Sequence, residues 1–279
     1  MLSNMFLLLI AAVLGPAEAA TETAETKSAN PRVIPAKTVV LTFDDAVQSH
    51  LDVVAPLLKK HGFGATFFVC NLWMNDEANS LSWEDIRRLH DLGFEIGNHS
   101  WTHAGFNSSK SAGTLEAELK KVDDALAAVG VPRPVSFGWP GNAFGPEAVA
   151  VLREHGIRFA RRGMQPEKAY GEIHFGPLFD PSRYDALLIP TSGDAYPIWT
   201  LDHFKQLVDQ AVEGKAVILQ FHGVPDVAHP WVHTPPEMFA KYMEYLHSSG
   251  FHVIALRDLG PYIDRSIAVP DPMRDKRYP

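Results

Sequence analysis

Two adjacent carboxylates, Asp44 and Asp45, close the apolar run Thr38–Phe43. Like charges on neighbouring residues repel and resist desolvation unless a cation or a proton separates their roles. One can then ligate a metal while the other stays free as a base; capping a following helix is the other role open to Asp here. His99 and His103 stand four residues apart, directly after the strand-like run Phe94–Gly97. That spacing lets two imidazoles share one ion when the turn between them is tight. His222 closes a third run, Val217–Phe221, and Gly223 after it lets the backbone turn away; a satisfied core histidine is the plainer reading. Together Asp45, His99 and His103 offer one oxygen and two nitrogens. Positions stay open for water and substrate, the pattern of a catalytic rather than a structural metal site.

These groups converge only if their strand ends converge. Strand-like runs are expected at Thr38–Phe43, Ala65–Val69, Phe94–Ile96, Val135–Phe137, Ile157–Ala160, Leu187–Ile189, Val217–Phe221 and Phe251–Ala255. Helical apolar spacing lies between them at Leu51–His61, Trp83–Leu92, Thr114–Val129, Pro146–His155, Leu201–Val212 and Pro236–Ser248. Such alternation predicts an α/β fold with a parallel sheet, either a barrel or doubly wound, and in both the catalytic groups gather at the C-terminal strand ends.

The order Thr42-Phe43-Asp44-Asp45, then His99-Ser100-x-x-His103, then a Pro-containing strand end, then a late strand closing in His222 resembles the polysaccharide deacetylase (NodB-homology) domain, carbohydrate esterase family 4. The resemblance runs from about residue 36 to 262 and implies a distorted (β/α) barrel. It implies one divalent ion held by Asp45, His99 and His103, with Asp44 as general base and His222 as general acid. The reaction implied is hydrolysis of N- or O-linked acetyl groups on a polysaccharide. The ligand types suit zinc, and also cobalt, nickel, iron or manganese. Two motifs depart from the family pattern. Where an Arg-Pro-Pro-aromatic-Gly motif is usual, the chain reads Phe137-Gly138-Trp139-Pro140-Gly141-Asn142, so Gly138 replaces the arginine that orients the catalytic Asp. Where a fourth motif supplies an Asp behind the acid histidine, the chain is read as Phe159-Ala160-Arg161-Arg162-Gly163. Arg161 or Arg162 is expected to replace the missing guanidinium; a surface arginine pair is the alternative. Substrate contacts are expected from Trp139, Pro140, Gly141, Asn142, Trp231 and His233, with Trp139 and Trp231 stacking on sugar rings and Asp226 orienting His222. Two other readings are a C–N hydrolase of small amides or cyclic imides on the same fold, and a non-catalytic carbohydrate-binding domain.

The 279 residues carry a formal charge of −8, which excludes a general affinity for nucleic acid because no basic stripe exists to neutralise phosphates. The run Phe6–Leu14 and the small residues Ala17-Glu18-Ala19 fit an export signal over residues 1–19, too short for a bilayer span. A linker is expected over 20–36, the catalytic domain over 37–262 and a loose tail over 263–279. The partner would thus be an acetylated glycan outside the cytoplasm, in the secreted or envelope space. The single cysteine, Cys70, ends an apolar run and reads as a buried structural thiol.

Overall fold

The computed structural model describes residues 31–164 and 171–265. The expected leader, and most of the expected linker and tail, lie outside the described residues. The strands are β1 (Thr38–Phe43), β2 (Thr66–Val69), β3 (Glu95–Asn98), β4 (Ser136–Gly138), β5 (Phe159–Arg162), β6 (Ile189–Pro190), β7 (Gly193–Asp194), β8 (Val217–Phe221) and β9 (His252–Ile254). The helices are α1 (Ala55–His61), α2 (Trp83–Asp91), α3 (Ser109–Ala128), α4 (Pro146–His155), α5 (Leu201–Val208) and α6 (Pro236–Ser248).

All strand pairs are parallel, in the order β6-β5-β4-β3-β2-β1-β8-β7, with β9 beside the first half of β1. Only Thr191 and Ser192 separate the two edge strands in sequence. Thr191 donates its N–H to the Arg162 carbonyl (3.0 Å) and Ser192 donates to the Ile218 carbonyl (2.7 Å). The chain therefore steps from one sheet edge to the other, and the sheet curls into the distorted (β/α) barrel expected from the sequence.

Every residue of β1 is buried, which is why it reads as a mainly apolar run with no strict polar alternation. Val39, Leu41 and Phe43 pack outward under α1, α2, α5 and α6, while Val40 points inward to Phe68, Phe159, Ile218 and Ile254. β1, β8, α4 and α6 coincide with their expected bounds. α3 begins at Ser109 rather than Thr114 because Ser108 and Ser111 form a reciprocal cap. The expected helix at Leu51 opens as a π-turn, His50–Val54. β7 was not anticipated: it is two residues long, and its sequence Gly193-Asp194 carries no apolar run. Among the described residues no helix is long and apolar enough to cross a membrane. Cys70 is a buried free thiol, and burial pushes its pKa well up.

Candidate active site

The paired carboxylates follow β1 at once, where Asp45 and Ala46 take left-handed backbone angles (φ 76° and 53°). After β3, Ser100 and His103 do the same (φ 60° and 54°). Among the described residues the remaining non-glycine cases are Asn142, in the turn after β4, and Lys37, the only one remote from these segments. Such conformations cost on the order of 1–2 kcal/mol each and persist where surroundings enforce them. For the His99–His103 turn the enforcement is visible. Asn98 Oδ1 accepts the Ser100 N–H (2.8 Å), and Glu118 of α3 accepts the N–H groups of Trp101 (2.9 Å) and Thr102 (2.7 Å).

One oxygen of Asp45 and one nitrogen each of His99 and His103 lie within 4.8 Å of one another. His99 donates from Nδ1 to the Gly138 carbonyl (2.7 Å), so its Nε2 lone pair faces Asp45 at 3.5 Å. His103 Nε2 stands 3.6 Å from the same Asp45 oxygen, which is buried and accepts no hydrogen bond. Burial drives His99 down to about 4 and His103 to about 3, so both rings are neutral as ligands must be. Burial, then Asp44, push Asp45 well above the usual carboxylate range in the absence of a cation. This donor set fits one divalent ion.

Asp44 has a different neighbour. Its Oδ2 accepts from Arg161 Nη2 at 2.6 Å, while its Oδ1 is buried and unpartnered. Burial works to raise its pKa, yet Arg161, followed by the nearby histidines, leaves it lowered. Arg161 crosses the barrel interior from β5; it also donates to Gln220 of β8 and to Thr191 Oγ1 (3.3 Å), and its guanidinium lies 5.4 Å from the Phe68 ring. The same neighbours account for Gly138. A Cβ there would stand 2.9 Å from His99 Nδ1 and 3.0 Å from the Phe68 ring, so no side chain fits at the position where the family places its arginine. Arg162, offered as the other substitute, points to the opposite side of β5, as strand alternation requires. It donates to its own neighbour's carbonyl at Gly163 (2.8 Å) and lies over Tyr184, away from Asp44.

His222 directly follows β8, with Nε2 3.9 Å from Asp45 and Nδ1 4.0 Å from Asp194. The carboxylate behind His222 thus comes from β7, not from the strand end Phe159–Gly163 to which the resemblance assigns the fourth motif. The signal for it, Ser192-Gly193-Asp194 shortly before Trp199, lies in a strand too short to betray itself by periodicity. Asp226, expected to orient His222, instead accepts the His229 N–H (2.8 Å). His50 is buried beneath the site with Nε2 3.1 Å from the His222 carbonyl, an acceptor that fixes the ring proton on Nε2. Burial lowers its pKa to about 4.

The cleft over these groups holds about 200 Å³ and is walled by Trp73, Tyr196, His229 and Trp231. Trp231 is 52% exposed at the rim of the cleft. Trp139 borders the cleft but is 0% exposed, packed on Phe137 and donating to the Leu187 carbonyl, so it is a core residue and not a stacking platform. Gly141 and Asn142 reach the cleft, whereas Pro140 and His233 do not line it. The Asn142 N–H is spent on the Trp139 carbonyl (3.0 Å) within its own turn.

Residues 32–160 match the family model for polysaccharide deacetylases. A chitin deacetylase of Arthroderma benhamiae is 32% identical over 93 residues, which is 33% of this chain and 24% of that protein. A peptidoglycan-N-acetylmuramic acid deacetylase of Bacillus subtilis is 35% identical over 91 residues, 32% of either chain. The match thus spans only a quarter to a third of these curated relatives. The fold likeness reaches further: a family 4 acetyl xylan esterase from Clostridium thermocellum, solved with a cobalt ion, covers 80% of this chain and 90% of its own, with TM-score 0.54 and 23% identity. That barrel, those motifs and the sequence match over residues 32–160 together support a polysaccharide deacetylase domain in this chain.

Proposed function

We propose that this protein is a metal-dependent hydrolase that removes acetyl groups from a glycan outside the cytoplasm. One observation carries the reading: two adjacent carboxylates at one strand end have divergent surroundings, Asp45 facing two neutral imidazoles and Asp44 clamped by Arg161. Asp45, His99 and His103 would hold the ion, whose chemistry when bound is to polarise an acyl carbonyl and acidify water. Arg161 keeps Asp44 ionised and fixes Oδ2, which leaves Oδ1 to take the proton from the attacking water. The N–H of Gly141, which lines the cleft, is the donor assigned to the developing oxyanion, since that of Asn142 is engaged. His222, backed by Asp194 and anchored through its carbonyl by His50, protonates the leaving amine or alcohol. Zinc heads the ions the donor set suits, with cobalt, nickel, iron and manganese behind it.

The test is elemental analysis of the purified protein beside His99→Ala, followed by acetate release from acetylated xylan, chitin oligomers and peptidoglycan fragments. About one divalent ion per chain, lost in the variant, with metal-dependent acetate release, is the expected result. No bound ion after incubation with zinc, cobalt or manganese overturns the mechanism.

A further inference from the structure

One polar pair in the cleft has no part in the acyl-transfer chemistry above. Asp226 is buried to 1% exposure, a costly place for a carboxylate without a strong partner. Its Oδ1 accepts the His229 N–H at 2.8 Å and lies 3.2 Å from His229 Nδ1; its Oδ2 accepts no hydrogen bond. The carboxylate thus faces one residue, hydrogen-bonded to the His229 backbone and lying close to its ring.

The loop that carries the pair is built to hold it. Val224 donates to Ser49 Oγ (2.7 Å), Thr234 donates its N–H to the Gly223 carbonyl (3.0 Å), and Thr234 Oγ1 donates to the Ala195 carbonyl (2.8 Å). A Cβ at Gly223 would stand 2.7 Å from Asp226 Cα, so the loop folds back on itself too tightly for any other residue there. The His229 ring then lies edge-to-face between two indoles, 5.2 Å from Trp73 and 5.4 Å from Trp231. Trp73 in turn lies 4.9 Å from the His103 ring, which sets this trio beside the proposed metal ligands.

We propose that His229, oriented by Asp226 between Trp73 and Trp231, recognises a pyranose ring of the glycan adjacent to the one that loses its acetyl group. The inference rests on the glycan reading above and goes beyond it in naming the recognising group. A pyranose presents apolar C–H faces ringed by hydroxyls, so it needs flat aromatic surface and a hydrogen-bonding atom at its edge. With Asp226 on the Nδ1 side, Nε2 is turned away from the carboxylate and is free to meet a hydroxyl. The side chain is 21% exposed and lines the cleft, so a ligand can reach it. Asp226 is a positioning residue; His229 makes the contact.

The experiment is calorimetric titration with penta-N-acetylchitopentaose, in an Asp44→Asn background that stops turnover. We expect one oligomer bound per chain, an affinity weaker by about five- to tenfold in His229→Ala and in Asp226→Asn, and recovery in His229→Gln, which keeps a polar atom near Nε2. Recovery by Gln separates recognition from mere packing. Unchanged affinity in His229→Ala overturns the inference, and so does failure of the parent to bind the oligomer at millimolar concentration. Acetate release by the unaltered protein judges the hydrolase reading separately, so the two can fail independently.

Discussion

The barrel buries carboxylates at both ends, and it treats them in opposite ways. At the N-terminal strand ends, Glu95 of β3 accepts from Ser136 Oγ (2.5 Å), Thr66 Oγ1 (2.6 Å) and the Arg257 N–H (2.9 Å). Thr66 Oγ1 itself accepts the Leu256 N–H at 2.8 Å, so β2, β3, β4 and the segment after β9 are tied through one carboxylate. At the C-terminal ends, one oxygen each of Asp44, Asp45 and Asp226 is buried with no hydrogen bond. Buried polar atoms are nearly always paired. A carboxylate whose acceptor sites are filled by the chain is doing structural service; in the proposed mechanism the open oxygens of Asp44 and Asp45 await a water and an ion. Backbone strain follows the same division, gathering at the second end.

The sharpest way to break this contrast is Asp44→Asn. The variant keeps Asp45, His99 and His103, so it should bind metal like the wild type, yet kcat should fall by about a hundredfold to ten-thousandfold. Near-normal kcat with normal metal content would show that the open Oδ1 is not the base. Next in size is Arg161→Met. It strands a buried carboxylate, which costs about 3–5 kcal/mol of stability in urea denaturation. Arg161 holds the Asp44 pKa down, so its loss should also move the acid limb of kcat/KM to higher pH. An unmoved acid limb would mean that the ion pair is structural only. Glu95→Ala should cost about 2–3 kcal/mol by orphaning its donors, with metal content unaltered. Loss of metal in that variant would erase the distinction between the two ends.

The two ends were unequally legible in the sequence. β1 and β8 are mainly apolar runs, interrupted only by Thr38, Thr42 and Gln220 and followed by Asp-Asp and His, so their bounds could be read directly and their polar ends stood out as candidates. Likewise the four-residue His99–His103 spacing sits directly after a strand. By contrast Asp194 was hidden because two-residue β7 is stabilised by its place at the barrel seam rather than by any local pattern. Arg161 and Arg162 could be named only as a pair, since choosing between them needs the facing of β5, and a one-residue change in register inverts it. Trp139 misled for a related reason: an aromatic at a strand end can serve cleft or core equally, and the indole N–H settled it by finding the Leu187 carbonyl. Glu95 gave no signal, because its three donors come from segments far apart in the chain.

The smallest expected effect is the most specific to the structural end. Burial raises the Glu95 pKa above its ordinary value of 4.5, against the pull of Ser136, Thr66 and the Arg257 N–H. The folded state therefore holds the proton more tightly than the unfolded chain. Below about pH 4.5 both states are protonated and this contribution to stability is fully present; it is lost as pH rises through the raised folded value. In Glu95→Gln no proton is exchanged at this site, so the variant should gain on the wild type across that window, by less than about 1.4 kcal/mol per pH unit, the limit for one proton. Urea denaturation of both proteins from pH 4.5 to 7 measures the difference directly, because every other titrating group cancels between them. Parallel stability curves would mean that the three donors fully offset the cost of burying the charge. The structural carboxylate would then be as comfortable ionised as Asp44 is beside Arg161, and the contrast between the ends would lie in open lone pairs alone.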